Sequence, residues 1–185
     1  MTEAIHVLAV AGSLRQRSYN RAALHAALEL LPEGMTLEVC DIGDIPLFNE
    51  DIEAQGYPLP VQQFKARIAA ADAMLISTPE YNYSVPGVLK NALDWASRPA
   101  SSTPLNGKPL AIMGVSSGPW GTARAQLHLR QSCVYFNMHP LNKPVVQISH
   151  AETKFDADGR LKDEVARNQI RGLLEALGIW ARRLK

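Results

Sequence analysis

Five short apolar runs, separated by stretches with helical periodicity, restrict this chain to very few folds. The first run, Ile5-His6-Val7-Leu8-Ala9-Val10-Ala11, is nearly continuous rather than alternating, the pattern of a strand covered on both faces. From Asn20 onward, Leu24, Ala27, Leu28 and Leu31 share one helical face, and Pro32 and Gly34 close it. Thr36–Asp41 reads as a second strand. Val61, Phe64 and Ile68 form a helical stripe leading into a third strand, Ala73–Thr78. Val85, Val88, Leu89, Ala92, Leu93 and Ala96 mark another helix, with Pro86 in its first turn. Leu110–Val115 is a fourth strand, a helix covers Thr122–Phe136, and Val145–Ile148 is a short fifth strand. Ile170, Leu173, Leu174, Leu177, Ala181 and Leu184 line the last helix. Strands joined through helices need crossover connections, hence an α/β protein whose parallel sheet carries helices on both sides. Right-handed crossovers leave the order 2-1-3-4-5 as the commonest five-stranded solution, with a ligand crevice at the switch between strands 1 and 3. The loops after Ala11, Thr78 and Val115 then converge, and those loops hold the chain's unusual residues.

At 185 residues the chain is expected to form a single domain, 1–185. A formal charge of +1 argues against a nucleic-acid binder, which carries a basic excess, and against an acidic carrier that docks by charge. Cys40 and Cys133 are too few and too far apart for a disulfide scaffold, a CxxC pair or a zinc site, which points to a reducing compartment. Met1-Thr2-Glu3-Ala4 has no basic n-region, so no signal peptide is expected. No stretch approaches the roughly 18–20 apolar residues of a membrane helix. The expectation is a soluble, cytoplasmic domain with no membrane or nucleic-acid partner.

The first loop, Gly12-Ser13-Leu14-Arg15-Gln16-Arg17-Ser18-Tyr19-Asn20, joins a buried strand to a helix. A helix N-terminus offers unpaired N–H groups and partial positive charge, which suit an anion. Ser13, Ser18 and Asn20 add short polar side chains, and Arg15 adds a charge-assisted fork. The loop is neither a Walker A sequence nor GxGxxG, and its hydroxyls suit a terminal monophosphate better than a dinucleotide. The competing reading is that Ser18 or Asn20 merely caps the helix. The second loop, Thr78-Pro79-Glu80-Tyr81-Asn82-Tyr83-Ser84-Val85-Pro86-Gly87, is stiffened by two prolines and carries two tyrosines. Flat faces beside exposed N–H groups suit the polar edge of a heteroaromatic ring; packing for stability is the alternative.

Together, Gly12-Ser13-Leu14-Arg15 with Ser18 and Asn20, then Thr78–Gly87 running on to Leu89-Lys90-Asn91-Ala92 and Asp94-Trp95, resemble the NAD(P)H-dependent FMN reductase family, and within it the bacterial quinone and chromate reductases. The resemblance spans almost the whole chain. It implies a flavodoxin-like three-layer sandwich, FMN as cofactor, NADPH or NADH as electron donor, and a homodimer or homotetramer. It places the phosphate site on Ser13, Arg15, Ser18 and Asn20, and the flavin-ring loop on Pro79, Glu80, Tyr81, Asn82 and Tyr83. In the third loop it implies flavin contacts from Ser116, Ser117 and Gly118. There the family's Gly-Gly-x-Arg departs from pattern: Thr122 replaces the second glycine, and Pro119-Trp120 is bulky. The implied reaction passes hydride from the nicotinamide through the flavin to a small acceptor such as a quinone, chromate, an azo compound or free flavin. Tyr81, Tyr83 and Trp120 would shape a pocket that donor and acceptor use in turn.

Two rivals remain to be weighed. Gly114-Val115-Ser116-Ser117-Gly118 fits the G-x-S-x-G pattern of a nucleophile elbow. Yet no acid lies between Ser117 and His150 and no histidine follows Glu152, so the triad order fails. A flavodoxin-type electron carrier without its own NAD(P)H turnover would need the negative docking surface that a charge of +1 does not supply. The histidines show no metal-binding spacing. Asp156-Ala157-Asp158-Gly159 lacks the remaining ligands of a calcium loop and reads as a tight turn. Cys133 reads as a buried, inert thiol, and Trp95 as either an interface anchor or core.

Overall fold

The computed structural model describes residues 4–185. Met1, Thr2 and Glu3, which carry the expectation that there is no leader, lie outside the described residues. The chain runs β1 (Ile5–Ala11), α1 (Tyr19–Glu29), β2 (Met35–Cys40), α2 (Glu50–Ala54), α3 (Leu59–Ala70), β3 (Ala73–Ser77), α4 (Gly87–Ala96), β4 (Pro109–Val115), α5 (Ala123–Phe136), β5 (His139–Pro140), β6 (Val146–Ile148) and α6 (Glu164–Leu184). The sheet is parallel in the order β2-β1-β3-β4-β5, with β6 also paired to β4.

The continuous apolar run of β1 is explained by the two cores it separates. Val7, Ala9 and Ala11 face a core shared with Leu24 and Ala27 of α1 and Leu173, Leu174 and Leu177 of α6. Leu8 and Val10 face the opposite core, built with Phe64 and Ile68 of α3, Leu89 and Leu93 of α4 and Leu129 of α5. The molecule is therefore a three-layer sandwich, α1/α6 on one side and α3/α4/α5 on the other. A strand with helices on both faces has no solvated side and needs no polar alternation.

The fifth strand position is split. β5 pairs with the start of β4 and β6 with its end; Leu141 N–H still donates to Leu110 O at 2.8 Å, and residues 142–145 leave the ladder. Pro144 lies in that gap, and a proline cannot donate to a ladder, so the interruption falls on the edge where it costs least. Within the helices, Leu28 is exposed rather than core, and Pro86 stands just before α4 rather than inside its first turn. Trp95 is fully buried: its Nε1 donates to Pro46 O at 2.8 Å and its ring meets Phe48 edge-on. It is core. Asp156–Gly159 forms a tight turn closed by Gly159 N–H to Asp156 O and by Arg160 N–H to Asp156 Oδ1 at 2.7 Å. No helix among the described residues is long and apolar enough to cross a membrane.

Candidate functional site

At the C-terminal end of β1, Gly12 N–H extends the ladder to Ser77 O at 2.8 Å. A Cβ on Gly12 would sit 2.9 Å from Thr78 Oγ1, so the glycine lets the first loop pass against the second. The chain then reaches Ser18, whose Oγ accepts from Asn20 N–H at 3.2 Å and Arg21 N–H at 3.4 Å and so caps α1. Asn20 is 2% exposed and bonded across the switch point. Its Oδ1 accepts from Val115 N–H and from Ser77 Oγ, each at 3.0 Å, while its Nδ2 donates to Val115 O at 2.9 Å. Asn20 thus ties α1 to the ends of β3 and β4. Ser13 is also buried, with Oγ 3.4 Å from Tyr81 Oη. Arg15 is exposed; one N–H donates to Arg17 O at 2.6 Å, and its guanidinium lies 5.5 Å from the centroid of the Tyr19 ring.

The second loop folds as a two-residue hairpin. Tyr81 and Ser84 exchange backbone hydrogen bonds of 3.1 and 2.9 Å, and Asn82 and Tyr83 between them take φ of +49° and +68°. Positive φ at both central residues is the signature of a type I′ turn. Asn tolerates it, but for Tyr83 the left-handed conformation costs about 1–2 kcal/mol. Tyr83 is nevertheless 67% exposed, so burial does not offset that cost.

What braces the hairpin comes from α5, 44 residues on. Glu80 Oε2 accepts from Arg124 N–H at 2.9 Å and Ala125 N–H at 3.2 Å, and its Oε1 meets the Arg124 side chain at 2.5 Å. Burial pushes the Glu80 carboxyl up, but the bonds from the Arg124 guanidinium and from the backbone N–H groups of Ala125 and Arg124 outweigh it. The carboxyl is held below its ordinary value. Thr122, which precedes α5, has φ +71° and makes no side-chain cap bond, so Glu80 supplies the missing cap from another loop. The Arg124 guanidinium also covers the Tyr83 ring at 3.7 Å from its centroid and lies 5.8 Å from that of Trp120. Ser84 Oγ and His128 Nδ1 stand 3.0 Å apart, a further tie to α5. Beneath this cluster Gly114 is required, because a Cβ there would strike the Thr122 side chain and sit 2.5 Å from Thr78 O. The glycine of the G-x-S-x-G match is therefore a packing residue, and Ser116 Oγ donates to Gly118 O at 3.2 Å.

The three loops do meet. Ser13, Arg15, Ser18, Asn20, Pro79, Glu80, Tyr81, Ser116 and Ser117 line one open cleft of about 220 Å³, together with Tyr19 and Val115. Asn82, Tyr83 and Gly118 are not part of that lining; the first two form the hairpin tip. The lining chemistry suits a phosphorylated flavin. The hydroxyls of Ser13 and Ser18 and the Arg15 fork are donors, and although Ser18 already caps the Asn20 and Arg21 N–H groups, the N-terminal end of α1 adds partial positive charge; the one carboxylate in the lining, Glu80, is already bonded to Arg124. Two contributions escape sequence reasoning. The resemblance marks Arg124 only as the arginine of Gly-Gly-x-Arg; its pairing with Glu80 is too distant in sequence for any local pattern, although Gly121-Thr122 ahead of an α5 with no acid in its first turn signals a cap from elsewhere. Tyr19 is read in sequence only as a loop residue, yet its ring forms part of the wall.

The model of the NADPH-dependent FMN reductase family matches residues 5–153. An "NAD(P)H-dependent FMN reductase" of Pseudomonas aeruginosa is 57% identical over 185 residues, covering all of both chains. A "2-hydroxy-1,4-benzoquinone reductase" of a Burkholderia species is 43% identical and covers 97% of each. Among solved structures, the flavoenzyme NAD(P)H:(acceptor) oxidoreductase FerB of Paracoccus denitrificans superposes with a TM-score of 0.88 at 34% identity, over 97% of this chain and 98% of that one.

Proposed function

The chain belongs to the NADPH-dependent FMN reductase family, and from that premise we propose that it takes hydride from NADPH or NADH through FMN in the Ser13–Ser117 cleft and delivers it to a quinone. It is an NAD(P)H-dependent oxidoreductase of that family, with FMN as its cofactor. Bound there, FMN supplies a ring that accepts and releases hydride; the protein binds, orients and excludes water.

The Arg15 guanidinium would hold the phosphate beside the positive N-terminal end of α1, with the Ser13 and Ser18 hydroxyls donating next to it. Asn20 holds the two strand ends together and so keeps the phosphate corner at a fixed distance from the third loop. Pro79, Glu80 and Tyr81 would face the ring from the second loop and Ser116 and Ser117 from the third, with Gly118 next to them in the chain. Asn82 and Tyr83 stand at the hairpin tip beside that lining. The open side of the cleft, near Tyr81 and Trp120, would admit the nicotinamide and the acceptor in turn. The observation that carries this reading is the donor-rich cleft at the switch point, whose own carboxylate is neutralised.

The name of the Burkholderia relative, a benzoquinone reductase, favours quinones as acceptors; chromate, azo compounds and free flavin fit the same open face. Residues 1–185 form one FMN-binding domain that works in the cytoplasm. Leu127, Val134 and Tyr135 form an exposed apolar stripe on α5, which supports association into a homodimer or homotetramer. The test is a redox cycle under anaerobic conditions. NADPH or NADH should bleach the FMN-loaded protein and a benzoquinone should restore its colour, with NAD(P)H consumed in proportion to quinone. Protein that binds FMN but is bleached by neither nucleotide would overturn the reading in favour of a carrier.

A further inference from the structure

Arg124 takes no part in holding the flavin in the account above, yet more contacts converge on its side chain than capping a helix requires. A carboxylate on the N–H groups of Arg124 and Ala125 already satisfies the start of α5. The guanidinium goes further: one edge meets Glu80 Oε1 and its plane covers Tyr83 at 3.7 Å. Tyr83 has a left-handed backbone and an exposed ring, so its position depends on what lies against it. Two residues back on the same hairpin, Tyr81 reaches Ser13 at the cleft wall. The chain of contacts therefore runs from Glu80 through Arg124 to Tyr83, and through the turn closed by the Tyr81–Ser84 backbone pair to Tyr81 at the wall of the cleft.

We propose that Arg124 is a positioning residue: braced by Glu80, it fixes the tyrosine hairpin at the cleft mouth and so sets the fit of planar aromatic acceptors there. This inference rests on the reading of the cleft as a flavin site whose open face the acceptor shares. A planar guanidinium is needed for the part, because it offers one edge to the carboxylate and one face to the ring at once; an ammonium offers neither. A planar quinone entering the cleft mouth beside the hairpin would feel any loosening there. A compact one-electron acceptor such as ferricyanide reacts without that fit.

The experiment uses the FMN-loaded enzyme and the variants Arg124→Ala, Arg124→Lys and Tyr83→Leu, with circular dichroism and FMN titration as checks on folding and loading. For a benzoquinone, KM should rise about fivefold to twentyfold in all three, with kcat changed less than about twofold. With ferricyanide at saturating NAD(P)H, turnover of the two Arg124 variants should stay within about twofold of wild type. The Arg124→Ala/Tyr83→Leu double variant should be no worse than either single one, since both break the same link. Wild-type KM for quinone in Arg124→Ala, or its full recovery in Arg124→Lys, would overturn the proposal. So would equal losses with both acceptors. If Arg124→Ala does not fold, a wild-type KM in Tyr83→Leu would overturn it instead. A wild-type enzyme that fails to reduce quinone at all would overturn the functional reading itself, a different result from variants that match an active wild type.

Discussion

Replacing Asn20 by Ala tests how the site is assembled. Its side chain makes three buried bonds, to Val115 N–H, Val115 O and Ser77 Oγ, at 2.9–3.0 Å. Alanine strands all three partners in places where Val115 and Ser77 are almost wholly buried. A stranded buried group costs about 1–3 kcal/mol, and some relaxation or water entry offsets part of the sum. The expected loss is about 3–5 kcal/mol, or a fall in Tm of roughly 6–20 °C for a chain of this size. Urea unfolding should show a lower midpoint with an unchanged m-value, because the surface exposed on unfolding is the same. Asn20→Asp sharpens the test. Aspartate keeps an oxygen for Val115 N–H and Ser77 but turns the other toward Val115 O, where an amide had donated. It should be destabilised at neutral pH and regain part of that loss in acid, once protonation restores a donor. A loss below about 1 kcal/mol in Asn20→Ala would refute the reasoning, because the bonds would then be replaced by solvent at no cost.

Arg15→Ala should weaken FMN binding about tenfold to a hundredfold, the value of one charge-assisted hydrogen bond, while leaving riboflavin affinity unchanged; fluorescence titration measures both. The Glu80 carboxyl, depressed in the folded protein, contributes its full stability above the ordinary glutamate value of 4.5 and loses it as pH falls through the lower folded value. Stability in Glu80→Gln should therefore fall less steeply than in wild type below about pH 4.5, and the two curves should run parallel above about pH 6. Cys133 is buried and its thiol is pushed up to about 11 by desolvation, with Arg130 opposing. Alkylation at neutral pH should label it only at the rate of unfolding, whereas rapid labelling of the native protein would contradict its burial.

The order of the sheet was legible because β1, β3 and β4 are covered on both faces, which turns them into unbroken apolar runs bounded by turn residues. The helical stripes were legible for the same reason: Val61, Phe64 and Ile68 are all core. Where burial is one-sided or absent, the pattern fades. The short helix α2 has no buried residue and is too brief to show a period, so Ile42–Tyr57 gave no signal. The edge strand breaks into His139–Pro140 and Val146–Ile148, and only the second piece is apolar enough to be noticed. At the site, the loop residues could be located because they interrupt the apolar runs. Their bonds could not. Asn20 looks the same in sequence whether it faces a phosphate or clamps two strands, and the clamp uses partners 57 and 95 residues away. The Glu80–Arg124 pair is hidden in the same way, since the sheet and not the chain brings it together. Trp95 was ambiguous for a different reason: a large aromatic near a helix end suits an interface and a core equally, and here Pro46 O and Phe48 decide for the core.

If the corners after β1, β3 and β4 form a cleft that grips a flavin by its phosphate, the phosphate must decide the affinity. Titrating the apoprotein with FMN and with riboflavin, and following quenching of flavin fluorescence, measures that difference. One FMN per chain should bind, at least about a hundredfold more tightly than riboflavin, since Arg15 and the α1 N-terminus engage only the phosphorylated form. Equal affinities, or no quenching with either, would contradict it.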